Sequence, residues 1–415
     1  MKRLLLIGSL VAPVVVWSSY WALAKRISAF ASQRWGERIL RAGDGKFSDV
    51  AVFLQHRFYE AAWLITVTVI VSLGVIVLGT LIARRLPVLW KWVPFSVAGF
   101  LGVNLWLKCA FGTCLFWCLF WTGKGSTNNL TQFHIKLLLM NESPAPLKVV
   151  LAGSSQVLAQ IDARELNEHL GPKIFTTQLY FPGNRAYDFL LLNRKLEGHQ
   201  VDAILCYLSE LNFFEGAVGE GLPFFLTPRD LPEFHRLLGQ WSWSPRSMGY
   251  GLLGDVLPPF WIREPLAERL LGIEATKIRQ KQRDAALDSN LSQRAAEFAA
   301  VFGVNAQSDF SFHAFDAFVE KCRARHRTVI ACCGQVNPVL ARRLDPTLRN
   351  QMRAFLRKLA TRYDNFILLE EDNFPPQGES DYEDLTHVGP VARARFTETL
   401  EPILRTWGSR DHLSP

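Results

Sequence analysis

The sequence predicts an α/β fold, a parallel sheet in a three-layer, flavodoxin-like sandwich, preceded by N-terminal transmembrane helices. Three observations predict it. Uncharged apolar runs long enough to cross a bilayer are confined to the first third of the 415 residues. From Leu147 onward, short apolar runs bounded by turn residues alternate with helical patterns, as strands covered on both faces do. Small and polar residues fall at the carboxyl ends of those runs, where open α/β sheets bind ligands.

Residues 1–121 read as a membrane region with about three spans. Residues 4–24, LLLIGSLVAPVVVWSSYWALA, are uncharged and follow Lys2-Arg3. A helix of that length crosses a hydrocarbon core of about 30 Å. Ala22-Leu23-Ala24 resembles a signal-peptidase site. The run exceeds the usual signal core and further spans follow it, so an uncleaved anchor is the preferred reading. Residues 61–83 form a second uncharged span, closed by Arg84-Arg85. Residues 93–121 form a third, and Trp90, Trp92, Trp117 and Trp121 suit the membrane–water boundary. Lys108 interrupts it and either snorkels or divides it into a span and an interfacial segment. Lys2-Arg3 and the loop Arg84-Arg85…Lys91 belong inside. Three spans then put the C-terminal part on the extracytoplasmic, periplasmic side of the cytoplasmic (inner) membrane. Lys25, Arg26, Arg34, Arg38 and Arg41 run against that trend unless residues 25–60 are an amphipathic surface segment.

The formal charge of +8 is spread along the chain. There is no arginine-rich helix and no zinc-finger spacing, which argues against nucleic acid; basic loops beside spans suit anionic lipid head groups. Cys109, Cys114 and Cys118 fall in the third apolar region, and Cys206, Cys322, Cys332 and Cys333 in the later part. No C-x-x-C has a partner pair, which argues against structural zinc. Cys332-Cys333 read as core residues.

Residues 122–146 are polar and turn-rich and read as a linker. Triplets of the glycosylation type start at Asn129 and Asn141, too short a pattern to carry an argument. Residues 147–415 then form the α/β domain. Strands are predicted at 147–152, 173–180, 202–208, 327–333 and 365–370, and helices at 156–169, 185–198, 313–325, 346–362 and 390–406. Residues 211–312 interrupt the alternation, aromatic-rich at first and then charged, as a lid or partner surface would be.

Gly153-Ser154-Ser155 ends the first strand, Phe181-Pro182-Gly183-Asn184 follows the second, and Ser209-Glu210-Leu211-Asn212 follows the third. Asp384 and His387 stand after the last, in DYEDLTHVGP. Two readings of the serines stand open: a helix N-cap, or a nucleophile at a strand-to-helix junction that needs a base and an orienting partner. A D-x-x-H spacing lets one turn present both side chains to one sheet edge, although a surface histidine beside a helix N-terminal acid has the same spacing. Gly183 and Asn212 are also common turn formers. His134, His169, His199, His235, His313, His326 and His412 read as mostly surface residues. Glu210, Glu370, Glu371 and Asp372 read as solvated strand-end charges without metal spacing.

This order of GSS, glycine turn, Asn-bearing loop and D-x-x-H before a final helix resembles the SGNH (GDSL-like) hydrolase superfamily. GSS in place of GDS, the membrane anchor and the ending DLTHVGPVARARF look most like its envelope O-acyltransferase branch. That branch includes alginate and cellulose O-acetylation and teichoic-acid D-alanylation proteins. The resemblance covers roughly residues 147–407 without the insertion. It implies Ser155 as nucleophile, His387 as base and Asp384 as its orienting acid. It implies an oxyanion hole from the backbone N–H groups of Ser155 and Gly183. The family's G-x-N-D asparagine has no literal match, and Asn212 and Asn184 are the nearest candidates.

The implied activity is that of a membrane-anchored serine O-acyltransferase or esterase needing no cofactor. It would acetylate or deacetylate a cell-envelope or extracellular polysaccharide, or a glycolipid, through an acyl-Ser155 intermediate. D-alanyl transfer would use the same residues. Relatives work with a multi-spanning membrane acyltransferase, which the resemblance implies as a partner. The competing expectation is a non-catalytic assembly or binding partner of an envelope polysaccharide secretion or modification complex, suggested by the insertion and the aromatic-rich membrane part.

Overall fold

The computed structural model describes residues 58–87, 92–110, 126–181, 183–214, 227–238, 291–304 and 306–410, with isolated positions at 11, 15, 18, 90, 117 and 257. The first predicted span, residues 4–24, lies outside the described residues apart from three of those positions.

Helix α1 (Phe58–Ala83) and helix α2 (Val93–Ala110) pack along one another. Glycines set their separation: a Cβ added at Gly79 would lie 2.5 Å from the Phe95 ring, and one at Gly102 would lie 2.8 Å from Val71. Small residues at such contacts are how apolar helices approach closely when no water is displaced. Trp106 Nε1 also donates to Thr68 Oγ1 across the pair. By length and composition two segments, Trp63–Ala83 and Val93–Ala110, can cross a membrane. The third predicted apolar region is thus helical through Ala110, with Lys108 exposed in its last turn; of residues 111–121 only Trp117 is described.

Much of the predicted linker is a helix, α3 (Ser126–Glu142). The turn-forming residues at its ends hide an apolar middle. Phe133, Ile135, Leu137, Leu139 and Met140 are buried, and α3 packs beside the second strand.

The α/β part follows. Strand β1 (Leu147–Gly153) leads into helices α4 (Ser155–Gln160) and α5 (Ala163–Leu170), then β2 (Ile174–Tyr180), α6 (Asp188–Lys195) and β3 (Ala203–Leu208). Helices α7 (Leu211–Phe214), α8 (Leu231–Leu238), α9 (Leu291–Ala299) and α10 (Ala306–Arg323) precede β4 (Thr328–Cys333). Then come α11 (Pro338–Ala341), α12 (Pro346–Arg362), β5 (Phe366–Leu369) and α13 (Pro390–Arg410). The five strands form one all-parallel sheet in the order β2-β1-β3-β4-β5.

Both faces are covered, which is why the strands read as continuous apolar runs rather than alternating ones. On one face α3, α6, α10 and α12 bury Phe133, Phe189, Phe315 and Leu356. On the other, α4, α5 and α13 bury Val157, Leu166, Phe396 and Leu400. The predicted helix 156–169 is two helices, because Asp162 breaks it and caps α5 by accepting from the N–H groups of Arg164 and Glu165. The predicted insertion also gives up its two ends to the domain. Phe213 and Phe214 of α7 and Phe310 of α10 lie in the core. The helical pattern of α10 is therefore seven residues longer at its start than the 313–325 expected. Cys206, Cys322, Cys332 and Cys333 are free and buried, and burial pushes the thiols of Cys322 and Cys333 up to about 12. Cys332 packs on one face of the sheet and Cys333 on the other.

The Phe315 ring is fully buried and lies edge-on to Phe189 and Phe213, with centroids 5.6 and 5.8 Å away. Phe315→Ala is expected to cost about 3–5 kcal/mol, seen as a lowered melting temperature in detergent; a shift within error would place this ring outside the core.

Candidate active site

β1 carries the chain to its carboxyl edge and stops at Gly153, where the ladder gives way to α4. A Cβ at Gly153 would lie 3.2 Å from the Tyr207 carbonyl oxygen and from Val157 Cβ, so a residue without one suits this junction. Ser154, in extended conformation, caps α4 by accepting from Gln156 N–H at 3.2 Å. The capping is thus done by Ser154, which leaves the Ser155 hydroxyl, on the first helical residue, for another partner. That partner is His387: Nε2 lies 2.8 Å from Ser155 Oγ, and Nδ1 lies 2.7 Å from Asp384 Oδ2.

The turn that carries Asp384 and His387 is internally tied. Asp384 Oδ1 accepts from the N–H groups of Thr386 and His387, both at 2.8 Å. Burial pushes the Asp384 carboxyl up, but the His387 ring and these two N–H donors outweigh it and hold the group well below the usual carboxylate range. An ionised Asp384 only accepts, so Nδ1 is the ring nitrogen that carries a proton toward it, and Nε2 is the one turned to the Ser155 hydroxyl.

Asn337, which the sequence reading passed over, fixes this turn to the sheet. It is buried at the end of β4. Its Nδ2 donates to Asp384 O at 3.0 Å and its N–H to Leu385 O at 3.1 Å, while its Oδ1 accepts from Val339 N–H and caps α11. The Asn337-Pro338 pair after an apolar run is a helix-start signal that could have found it.

After β2, Gly183 has φ 65° in a turn closed by Asn184 N–H donating to Phe181 O at 3.1 Å, and Phe181 N–H ties that turn to Gly153 O. Among the described residues, neither the Ser155 nor the Gly183 N–H donates in a turn or loop backbone hydrogen bond. Asn212 and Asn184 are both buried, but bonded to each other: Asn212 Nδ2 donates to Asn184 O at 2.8 Å, and Asn212 Oδ1 accepts from Ser209 N–H at 2.8 Å. Asn212 thus braces the Gly183 turn against the end of β3. Ser209 Oγ donates to Gln156 Oε1 at 3.0 Å, tying the same bracket to the residue after Ser155.

Several residues expected at the surface are inside. Glu210 is 3% exposed, and its Oε2 lies 3.6 Å from Arg349 Nε. Arg349 also faces Glu371 at 3.3 Å, Arg353 pairs with Glu371 at 2.7 Å, and Arg357 holds Glu370 through two nitrogens. These charges are paired because they join the ends of β3 and β5 to α12, a neutralisation that spacing along the chain does not reveal. Asp372 is exposed, as expected. His134 is half-buried and stacked on Trp117 with ring centroids 4.2 Å apart, and desolvation, followed by the Lys195 charge, pushes it down to about 3. Among the described residues no group of three or more His, Cys, Asp or Glu side chains is placed to hold a metal ion.

The arrangement sets a hydroxyl, an imidazole and a carboxylate in one hydrogen-bonded line. It can activate Ser155 for attack on a carbonyl and stabilise the oxyanion that results. No family model and no curated protein matches this chain.

Asn337→Ala removes the tie to the Asp384 carbonyl and is expected to slow covalent labelling of Ser155 by a fluorophosphonate about tenfold or more; wild-type labelling rates would show that the turn holds itself. A second expectation concerns Asp188, fully buried beside the Gly183 turn, with its Oδ1 unpartnered among the described residues. Burial pushes its carboxyl up to about 7, against the pull of the Arg185 N–H and charge. A raised folded value means the contribution is complete below about pH 4 and lost as pH climbs through 7, because the unfolded chain ionises first. Melting temperatures measured from pH 4 to 8 are expected to lose that downward slope in Asp188→Asn; an equal slope in both proteins would contradict a protonated Asp188.

Proposed function

We propose that this chain is a membrane-anchored serine acyltransferase or esterase of the SGNH type. Its substrate class would be an acylated cell-envelope or extracellular polysaccharide or a glycolipid. The observation that carries the reading is the continuous line Ser155–His387–Asp384, with gaps of 2.8 and 2.7 Å, at the carboxyl edge of a parallel sheet. The strand order β2-β1-β3-β4-β5 is that of flavodoxin-like sheets, in which ligands bind beyond the carboxyl ends of the strands. Gly183, at φ 65° in the turn that Phe181 N–H ties to Gly153 O, supports the oxyanion role.

In the proposed reaction the Ser155 Oγ–carbonyl bond forms as the hydroxyl proton passes to His387 Nε2, and Asp384 stabilises the imidazolium. The oxyanion meets the N–H groups of Ser155 and Gly183, each such donor worth about 3 kcal/mol. When the intermediate collapses, the donor's C–O bond breaks and the leaving alcohol takes the proton from His387. A sugar hydroxyl or water then attacks the acyl-Ser155 ester by the same route in reverse. Asn212 and Asn184 act as the brace of the Gly183 turn in this scheme. Helices α1 and α2, both apolar enough to span, support membrane anchoring, and the charge bias supports an extracytoplasmic domain in the cytoplasmic membrane. A multi-spanning acyltransferase remains the partner that the family resemblance implies.

A fluorophosphonate probe is expected to label the wild type and not Ser155→Ala. Asp384→Asn, which loses the tautomer control, should lower the labelling rate about a thousandfold or more. Equal labelling of wild type and Ser155→Ala would sink the enzymatic reading.

A further inference from the structure

The direction of α3 fixes which way the site looks. Near its end, Asn141 O accepts from Lys148 Nζ at 3.4 Å, at the start of β1 and therefore at the amino edge of the sheet. Nearer its beginning, Phe133 lies against Phe181, with ring centroids 5.3 Å apart, at the carboxyl edge. Helix α3 thus runs back along the sheet, and the chain enters the α/β part at the edge that carries Ser155. The end of α2 belongs to the same buried packing as that edge. Leu107 and Ala110 at the end of α2, Trp117, Phe133 and Phe181 belong to one buried cluster. Phe181 in turn donates its N–H to Gly153 O at 3.3 Å, two residues before Ser155. From α2 to the residue pair that frames the site there is continuous packing.

Trp63, exposed near the start of α1, and Lys108, exposed in the last turn of α2, lie at the same end of the helix pair, where an aromatic ring and a cation suit the level of anionic lipid head groups. We infer that the carboxyl edge of the sheet faces the bilayer that α1 and α2 enter, and that Ser155 receives its acyl group from an ester carried on a membrane lipid. This rests on the serine chemistry proposed above and adds to it the class of donor. A site at head-group height would take such an ester directly from the lipid that carries it. In the step, the Ser155 Oγ–acyl bond forms, the ester C–O bond of the lipid breaks, and the lipid alcohol leaves with the proton from His387.

The test uses the full chain in phosphatidylcholine–phosphatidylglycerol vesicles and two acetyl donors with the same reacting bond. One is acetylated hexadecylglycerol in the bilayer, the other monoacetylglycerol in the water. Acetylation of Ser155 is followed by mass. The lipid donor is expected to react at least tenfold faster. A rigid helical spacer of about fifteen residues between Gly123 and Lys124 would lift the edge by about 20 Å. It should abolish the preference while the soluble donor and fluorophosphonate labelling keep their rates. Equal rates for the two donors in the wild type, or a preference that survives the spacer, overturn the inference and leave the serine chemistry standing. Transfer from the lipid donor only when a second membrane protein is added also overturns it and assigns delivery to that protein. Absence of any labelling of Ser155 removes both.

Discussion

The hydrogen bond between Ser155 and His387 joins residues 232 positions apart, and the architecture around the site is what makes it form. β1 lies second in the sheet and β5 at the far edge, so the chain after β5 has to travel back across the strand ends before α13 begins. It does so as residues 370–389, and a ladder of side chains holds it there. Gln335 N–H donates to the Tyr207 hydroxyl at 3.1 Å, Gln377 N–H to Gln335 Oε1 at 3.1 Å, and the Tyr382 hydroxyl to Gln377 Oε1 at 2.7 Å. Asn337 grips the next residues by their carbonyls. The return path is thus held by backbone and amide contacts that need no charge as well as by ion pairs, Glu379 with Arg342 and Asp381 with Arg395.

Beneath that path sits a layer of charge. Glu210, Arg349, Arg353 and Glu371 join the ends of β3 and β5 to α12. Burial raises the Glu210 carboxyl in spite of Arg349 beside it. Such pairs add little net stability but make the arrangement hard to change one residue at a time, because removing one partner strands the other. Their place under the strand ends matters for the site above: the edge to which Ser155 belongs is stiffened from below.

What the sequence made legible followed the physics of burial. The five strands were found within two residues at each end, since only strands covered on both faces give unbroken apolar runs of that length. Helix 346–362 was found at its true bounds because Asp345 and Pro346 start it. The pairing of Ser155 with Asp384 and His387 was legible as a pattern, and the competing N-cap reading was also right, for Ser154. Less legible were features that depend on partners distant in sequence. The apolar middle of α3 was masked by Asn and Thr at its start and by NESPAP at its end. The burial of Glu210 depends on Arg349, and the packing of His134 on its stack with Trp117. Asn212 has the residue type for an oxyanion donor, but its amide is engaged with Asn184, which no local signal reveals.

The cysteines show how little this fold asks of its surroundings. Adjacent Cys332 and Cys333 point to opposite faces of the sheet and cannot meet, and Cys206 and Cys322 are sealed in the same packed interior. A thiol that stays protonated and out of reach neither pairs nor oxidises. These four sulfurs serve as small apolar filler, so the folded α/β part needs no oxidant to mature and none of them gives a reductant anything to undo.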